Sequence, residues 1–163
     1  MVEQKTVMEI LPETKQLEAL ISNVSWLAKH HLAHEISAFS LTAPQYSVLR
    51  CLHKKQNPQS MSQLTRECSA VMPTMTGIIK RLETRGLVTR QRDQHDRRLL
   101  FISITPEGQQ MIGEVTRHRC EQANKFLKTI SSDESQIMID VLQKYLNFMI
   151  EGLETDLEEN EQE

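Results

Sequence analysis

The sequence is poor in the residues that form phosphate-binding loops, disulfide frameworks and metal clusters. Only five of its 163 residues are glycine, and it contains no Gly-rich phosphate loop, no G-x-S-x-G turn and no H-E-x-x-H motif. Its three cysteines, Cys51, Cys68 and Cys120, are widely spaced and form no C-x-x-C pair, so neither a disulfide framework nor a zinc ribbon is indicated. These absences argue against an enzyme, and no cofactor is predicted.

Secretory and membrane signals are also missing. The first residues, Met1–Lys5, lack the basic start and the apolar run of roughly 7–15 residues that mark a signal peptide. No stretch reaches the roughly 18 uncharged apolar residues that a membrane-spanning helix requires. We therefore expect a cytoplasmic protein with no membrane partner, built as one domain with helical extensions.

The net charge of −3 hides two oppositely charged regions. Residues 151–163 contain seven acids and no lysine or arginine, so that setting them aside leaves +4 for residues 1–150. Within 61–100, eight basic residues stand against four acids, which is again a net +4. Such a concentrated positive block is typical of a surface that contacts nucleic-acid phosphates.

Apolar periodicity predicts four helices in the first half of the chain. The first spans residues 14 to about 37. Capping boxes that begin at Thr42 and at Ser60 open the second and third helices, with a loop over residues 54–60 between them. A fourth helix begins near Met72. Because the third and fourth helices are short and joined by a tight turn, they are predicted to form a helix-turn-helix.

The periodicity then changes from helical to strand-like. Two apolar stretches, 87–92 and 99–104, flank a charged tip at 93–98 and predict a β-hairpin. Thr105 followed by Pro106 supplies an N-cap and a first-turn proline, which predicts a helix that continues to about residue 130.

A last helix and an acidic tail complete the predicted architecture. A capping box at Ser131 opens the helix, and the tail is expected to fray beyond Glu154. The predicted fold class is mainly α with a small β-hairpin. The predicted divisions are an N-terminal dimerisation helix, a winged helix-turn-helix DNA-binding domain, C-terminal dimerisation helices and the acidic tail, at residues 1–37, 38–108, 109–153 and 154–163. Dimerisation is expected because the terminal helices carry more apolar positions than a small winged helix covers.

The helix that begins near Met72 has two chemically different faces. Steps of 100° per residue predict a buried apolar face that comprises Met72, Met75, Ile78, Ile79 and Leu82. The opposite face is small, hydroxylic and basic, and comprises Pro73, Thr76, Gly77, Lys80, Arg81 and Thr84. A recognition helix needs short hydrogen-bonding groups for base edges, cations for phosphates and a close backbone approach. We therefore predict that this face, together with Thr74 and Arg90, contacts DNA; the alternative is an ordinary solvated face.

The charged tip of the hairpin places two adjacent arginines, Arg97 and Arg98, where a wing would reach the neighbouring minor groove. The negative potential of that groove attracts arginine. Asp96 would repel phosphate unless it braced a guanidinium, and the simplest partner is Arg98, two residues on and on the same side of the strand. Asp96, Arg97 and Arg98 are therefore predicted to belong to the DNA-binding surface; the alternative is a solvated turn.

Three motifs together resemble one family. They are Leu41-Thr-Ala-Pro-Gln-Tyr-Ser-Val-Leu, Arg81-Leu-Glu-Thr-Arg-Gly-Leu-Val, and Asp96-Arg-Arg followed by Ile104-Thr-Pro-Glu-Gly. With the long flanking helices, they resemble the MarR (multiple antibiotic resistance regulator) family, whose L-T-P-x-G motif begins here with isoleucine. The resemblance implies a winged-helix homodimer that binds a pseudopalindromic double-stranded DNA operator, usually as a repressor released by a small-molecule ligand. It assigns the helix from Met72 as the recognition helix, and Asp96 and Arg98 as the wing pair.

The resemblance also implies an effector pocket between the dimerisation helices and the winged helix. Trp26 and His30 are the candidate lining residues, and the sequence does not identify the effector. His30, His31 and His34, with Glu35, offer pairs at i and i+4 for a metal ion, but no further ligands join them at a fixed spacing. No metal site is therefore predicted.

Two cysteines bear on the remaining alternatives. Cys68, close to Arg66, is the best candidate for a reactive thiol, whereas Cys51 lies in an apolar helix and is expected in the core. A metal- or thiol-responsive regulator of the same fold stays open as an alternative. So does a winged helix that contacts only other proteins, although that function would leave the positive block unused.

Overall fold

The computed structural model describes residues 11–92 and 99–160, with side chains as far as Gly152. These residues form six helices and three strands: α1 Thr14–Ser37, α2 Ala43–Lys55, β1 Gln59–Ser60, α3 Met61–Glu67, α4 Met72–Thr84, β2 Val88–Arg92, β3 Leu100–Ile104, α5 Pro106–Leu127 and α6 Ser132–Asn160. The predicted fold class, mainly α with a small β-hairpin, is confirmed. No helix among the described residues is long and apolar enough to cross a membrane.

The chain divides into two compact units after Thr116. The first unit contains a continuous apolar core, in which α2 and α4 contribute half of the buried hydrophobic side chains. Its members that are almost completely buried are Ile36, Val48, Leu49, Leu52, Leu64, Met75, Ile79, Leu82, Val88, Ile102, Ile112 and Val115. This core fixes α4 from one side and leaves its other side open.

Local side-chain hydrogen bonds begin the helices where the sequence predicts. The backbone N–H of Thr42 donates to Gln45 Oε1 over 2.9 Å at the start of α2. At the start of α3, the Ser60 N–H donates to Gln63 Oε1 over 2.7 Å and the Gln63 N–H donates back to Ser60 Oγ over 3.2 Å. Both capping boxes are therefore confirmed. Gly86, with a φ of +70°, ends the α4 segment in the left-handed conformation that glycine adopts without strain.

The sheet has one more strand than the predicted hairpin. β2 and β3 form the hairpin, and β1 pairs antiparallel with the other edge of β3, in the order β1-β3-β2. The register places Gln59 opposite Ile102 and Ser60 opposite Phe101. The predicted loop over residues 54–60 is therefore wrong at its last two positions, and also at its first two, because α2 continues to Lys55. A strand of two residues has no periodicity of its own, and only its distant partner defines it.

Gly108 explains why a Thr-Pro-Glu-Gly sequence follows the hairpin. Thr105 Oγ1 donates to the Gly86 carbonyl over 2.7 Å and accepts from the Gly108 N–H over 3.0 Å, which caps α5 and ties it to the end of α4. A Cβ atom on Gly108 would collide with the carbonyl oxygen of Leu87. Glycine is required here because the first turn of α5 lies directly against the backbone of Leu87, the residue just before β2.

Two further sequence predictions need correction. Met72, expected on the buried face of α4, is 43% exposed, because it occupies the first turn, where α4 extends past the core. The backbone of α6 stays helical to Asn160, although fraying was expected beyond Glu154. No glycine or proline interrupts the chain between these positions, and glutamate and leucine both favour helix.

Candidate DNA-binding interface

Helices α3 and α4 form the predicted helix-turn-helix. The turn begins at Cys68, which caps α3, and Ser69 adopts a left-handed φ of +48°. The Ala70 N–H donates to the Thr65 carbonyl over 3.0 Å and closes the turn. Leu64 is fully buried beneath it and anchors α3 to the core. The direction of α4 is therefore set by packing within the first unit.

The two faces of α4 separate as the sequence predicts, apart from Met72. Met75, Ile78, Ile79 and Leu82 are buried. The residues predicted to contact DNA from this helix are all exposed; they are Pro73, Thr74, Thr76, Gly77, Lys80, Arg81 and Thr84. The helix thus offers a single open face in which hydroxyl groups, a glycine and two cations are combined.

Two hydroxyl groups on this face have their protons already engaged. Thr76 Oγ1 donates to the Met72 carbonyl over 3.0 Å, and Thr84 Oγ1 donates to the Lys80 carbonyl over 2.9 Å. Each hydroxyl oxygen keeps its lone pairs available outward. In this conformation Thr76 acts as a hydrogen-bond acceptor, which suits the exocyclic amino groups of adenine or cytosine in the major groove.

Gly77 leaves the centre of the open face without a side chain. A Cβ atom at this position would meet no atom within 4 Å. Protein packing therefore does not require glycine here, in contrast to Gly108. A requirement imposed by an external partner that approaches the backbone closely is consistent with this geometry.

Two basic residues of the positive block, Arg85 and Arg90, contact other residues of the same chain. Arg85 donates from Nη1 to the Ser40 carbonyl over 2.7 Å and from Nη2 to the Phe39 carbonyl over 3.2 Å. Arg90 Nε lies 2.8 Å from Glu83 Oε2 in an ion pair, and its side chain is only partly exposed. Sequence reasoning counted both among the phosphate-facing charges and missed these partners, since the Arg85 contacts join residues 45 positions apart. Arg90 is thus less available to DNA than was predicted.

The other cations of the block are more open. Arg66, Lys80, Arg81 and Arg92 are exposed. The wing residues Asp96, Arg97 and Arg98 lie outside the described residues, so the predicted brace between Asp96 and Arg98 stays a prediction. The strands that lead to this segment are paired as far as Arg92 opposite Leu100.

Comparison with known protein families matches the region that contains the helix-turn-helix and the hairpin. The sequence model described as "MarR family" matches residues 41–100, which span α2, the helix-turn-helix and the hairpin up to the first residue of β3. This region of the chain is similar to the MarR family. Relatives that match the chain are named as transcriptional regulators.

Individual MarR relatives resemble most of the chain. The transcriptional regulator HosA of Escherichia coli O157:H7 is 28% identical over 114 residues, which cover 70% of this chain and 82% of HosA. The structure of a MarR family protein from Bacillus stearothermophilus, 24% identical, matches with a TM-score of 0.78 over 87% of this chain and 99% of its own. A mutant of S. aureus MepR bound to an oligodeoxyribonucleotide, 21% identical, matches with a TM-score of 0.63 over 82% and 97%. These structures show that the fold extends beyond residues 41–100.

The MarR fold of this chain contains a cavity in the first unit, at a different place from the predicted effector residues. It has a volume of about 610 Å³ and lies between the end of α1, α2 and the beginning of α4. Its lining combines apolar groups with Ser47, Arg50 and Cys68. Trp26 and His30 are absent from it; their rings instead meet edge to face on α1, with centroids 4.1 Å apart.

The histidines of α1 were considered as metal ligands. Within the described ranges, no group of three or more His, Cys, Asp or Glu side chains is arranged to hold a metal ion. His30, His31 and His34 all lie on the exposed part of α1. They therefore supply no closed coordination site among the residues that the structure describes.

Proposed function

We propose that the protein is a ligand-responsive repressor that binds a pseudopalindromic operator as a homodimer, with α4 in the major groove. The single observation that carries the proposal is the open face of α4, which is held rigidly by Met75, Ile79 and Leu82 on its buried side. A MepR mutant of the same fold is bound to an oligodeoxyribonucleotide, which supports DNA as the partner.

Each part of the surface has a separate role in this proposal. Thr76 accepts from a base edge, Gly77 permits close approach, and Lys80 and Arg81 contact phosphates. The wing residues Asp96 and Arg98 reach the adjacent minor groove, Asp96 by holding the guanidinium of Arg98. Arg90 is expected to contribute less, because Glu83 neutralises part of its charge.

The proposal of a homodimer is supported by apolar side chains that are exposed on both terminal helices, α1 and α6. In α1, Leu17, Leu20, Val24 and Leu27 are each at least 50% exposed and recur at helical spacing. In α6, the predicted apolar positions are likewise exposed; they are Ile137, Val141, Leu142, Leu146 and Met149. Burial of such stripes against a second copy contributes about 25 cal/mol per Å² of apolar area. A two-fold dimer then places two α4 helices about 34–36 Å apart, one turn of DNA.

In this proposal, the effector binds in the cavity beside α4. Since the cavity borders both the end of α1 and the first turn of α4, a small molecule within it would favour one arrangement of these helices. Arg50 supplies a cation at its edge. Trp26 and His30 do not line this cavity, so they would contact an effector only in a dimer in which the second subunit packs against α1. The cytoplasmic location expected from the sequence is part of the same proposal.

Salt dependence of DNA binding tests the proposal. Fluorescence anisotropy with a duplex from the region upstream of its own gene should give a log affinity that falls with log salt at a slope of about −5 to −9, for about 6–10 phosphate contacts. Lys80→Ala should reduce the slope by about one unit per subunit, whereas Lys144→Ala, an exposed lysine on α6, should leave it unchanged. A salt-independent or absent interaction would overturn the proposal and favour a protein-binding role.

A further inference from the structure

Two large apolar side chains stay exposed where the turn of the helix-turn-helix enters α4. Val71, the residue just before α4, is 65% exposed, and Met72, its first residue, is 43% exposed. One and two turns further along the helix, Met75 and Ile79 are completely buried. The start of α4 therefore carries an adjacent pair of apolar residues that the core does not use.

The helix itself gains little from valine at position 71. Val71 is the N-cap of α4 and makes no side-chain hydrogen bond to the first turn. Residues with a side-chain oxygen are preferred at an N-cap because they accept from a backbone N–H, and valine is among the least favoured. The preceding helix, α3, is capped in that way by Ser60, whose hydroxyl accepts from the Gln63 N–H over 3.2 Å. A departure from local helix preference with little burial in return is typical of a functional position.

Met72 is restrained although it is not buried. Its sulfur atom lies 3.8 Å from Thr65 Oγ1 on α3. Its carbonyl oxygen accepts from Thr76 Oγ1 over 3.0 Å, and the two residues lie four positions apart, on the same side of α4. A restrained side chain loses less conformational freedom when it contacts a partner. The apolar end of α4 is thus continuous with the open face that contains Thr76.

The chemistry of the major groove defines what this apolar end can recognise. The N-terminal residues of a recognition helix contact base edges in that groove. Its base edges present hydrogen-bond donors and acceptors, and thymine alone adds a C5-methyl group. The side chains of Val71 and Met72 contain no hydrogen-bond donor, so a methyl group is the feature that they complement.

We propose that Val71 and Met72 read the C5-methyl group of thymine in each half-site of the operator, next to the base that Thr76 contacts. The thymine contact rests on the proposed function, in which α4 lies in the major groove, and it adds the chemical group that determines specificity at the start of the helix. Burial of one methyl group is worth about a fourfold gain in affinity, so a dimer with one such contact in each half-site gains about 16-fold.

The other candidate occupant of this surface is a small molecule in the cavity beside α4. Val71 lines that cavity of about 610 Å³, but Met72 is absent from its lining. The cavity therefore accounts for one of the two exposed residues, whereas a base edge at the start of α4 accounts for both.

The experiment compares two synthetic duplexes of the sequence upstream of the protein's own gene, identical except that one contains uracil in place of every thymine. Uracil pairs as thymine does and lacks only the C5-methyl group. In anisotropy titrations at one salt concentration, the full-length wild type should bind the thymine duplex at least about tenfold more tightly. Single replacements of thymine by uracil should then locate the loss at two positions related by the two-fold axis of the operator.

Variants assign the methyl contact to the two residues. Met72→Ala and Val71→Ser should each lower the preference for thymine at least about threefold, and the double variant should bind both duplexes almost equally. Val71→Ser should also raise Tm, because serine supplies the missing N-cap, so its effect on DNA is not a loss of folding. Lys80→Ala is the matched control: it should weaken binding to both duplexes and leave their ratio unchanged.

The outcomes separate the thymine contact from the proposed function. Equal affinity of the wild type for the two duplexes would overturn the thymine contact and leave the proposed function standing. A thymine preference that persists undiminished in the double variant would also overturn it, because the preference would then come from DNA shape or from other residues. If the wild type binds neither duplex, the proposed function itself fails, and the thymine contact fails with it.

Discussion

Gly77→Ala is expected to stabilise the protein and at the same time to weaken its binding to DNA. Gly77 lies in the interior of α4 and is exposed, and a Cβ atom there meets nothing within 4 Å. Alanine removes conformational freedom from the unfolded chain at no steric cost, so the folded state should gain about 0.5–1 kcal/mol. For a chain of this length, that corresponds to a rise in Tm of about 1–4 °C.

The effect on DNA is expected to have the opposite sign, because in the proposed complex the added methyl group lies in the space that a base pair occupies. Overpacking at a close contact costs about 1–3 kcal/mol, which is at least about a fivefold loss of operator affinity. Gly113→Ala is the matched control, since Gly113 is also exposed, lies within α5 and has no neighbour within 4 Å of an added Cβ. It should raise Tm similarly and leave affinity unchanged.

The assay combines thermal unfolding, followed by circular dichroism, with anisotropy titrations at one fixed salt concentration. If Gly77→Ala binds the operator as tightly as wild type and is equally or more stable, the backbone of α4 does not approach the groove closely. The assignment of α4 as the recognition helix would then lose its main geometric support.

Four further changes test separate parts of the structure. Arg85→Ala should lower stability by about 1 kcal/mol through loss of its bonds to the Phe39 and Ser40 carbonyls just after α1, yet leave the salt slope of DNA binding unchanged; a reduced slope would mean that Arg85 contacts phosphate. Gly108→Ala should destabilise the fold by about 1–3 kcal/mol in thermal unfolding, because α5 must move away from Leu87, and an unchanged Tm would contradict that contact. Arg98→Ala should weaken operator binding in gel shifts with little change in Tm, and unchanged affinity would exclude the wing from the interface. Leu20→Glu should shift sedimentation from dimer to monomer, whereas a stable dimer would exclude this stripe of α1 from the interface.

The sequence by itself determined the features that depend on neighbours within one turn of a helix. The capping boxes at Thr42 and Ser60 join residues three positions apart, and the alternation of faces on α4 follows from helical geometry alone. The stop at Gly86 depends on a single residue's backbone preference. For this reason the helix-turn-helix, the hairpin and the outward residues Thr76 and Lys80 were predictable, and the family motifs added the expectation of DNA as the partner.

Tertiary structure decided whatever depends on a distant partner. Strand β1 exists only because Gln59 and Ser60 lie beside β3, and the guanidinium of Arg85 is hydrogen-bonded only because the segment between α1 and α2 lies next to the end of α4. The periodicity and composition of a sequence show how often apolar and charged side chains occur. They do not show which residue each side chain contacts, because the packing of the helices around a shared core determines those contacts.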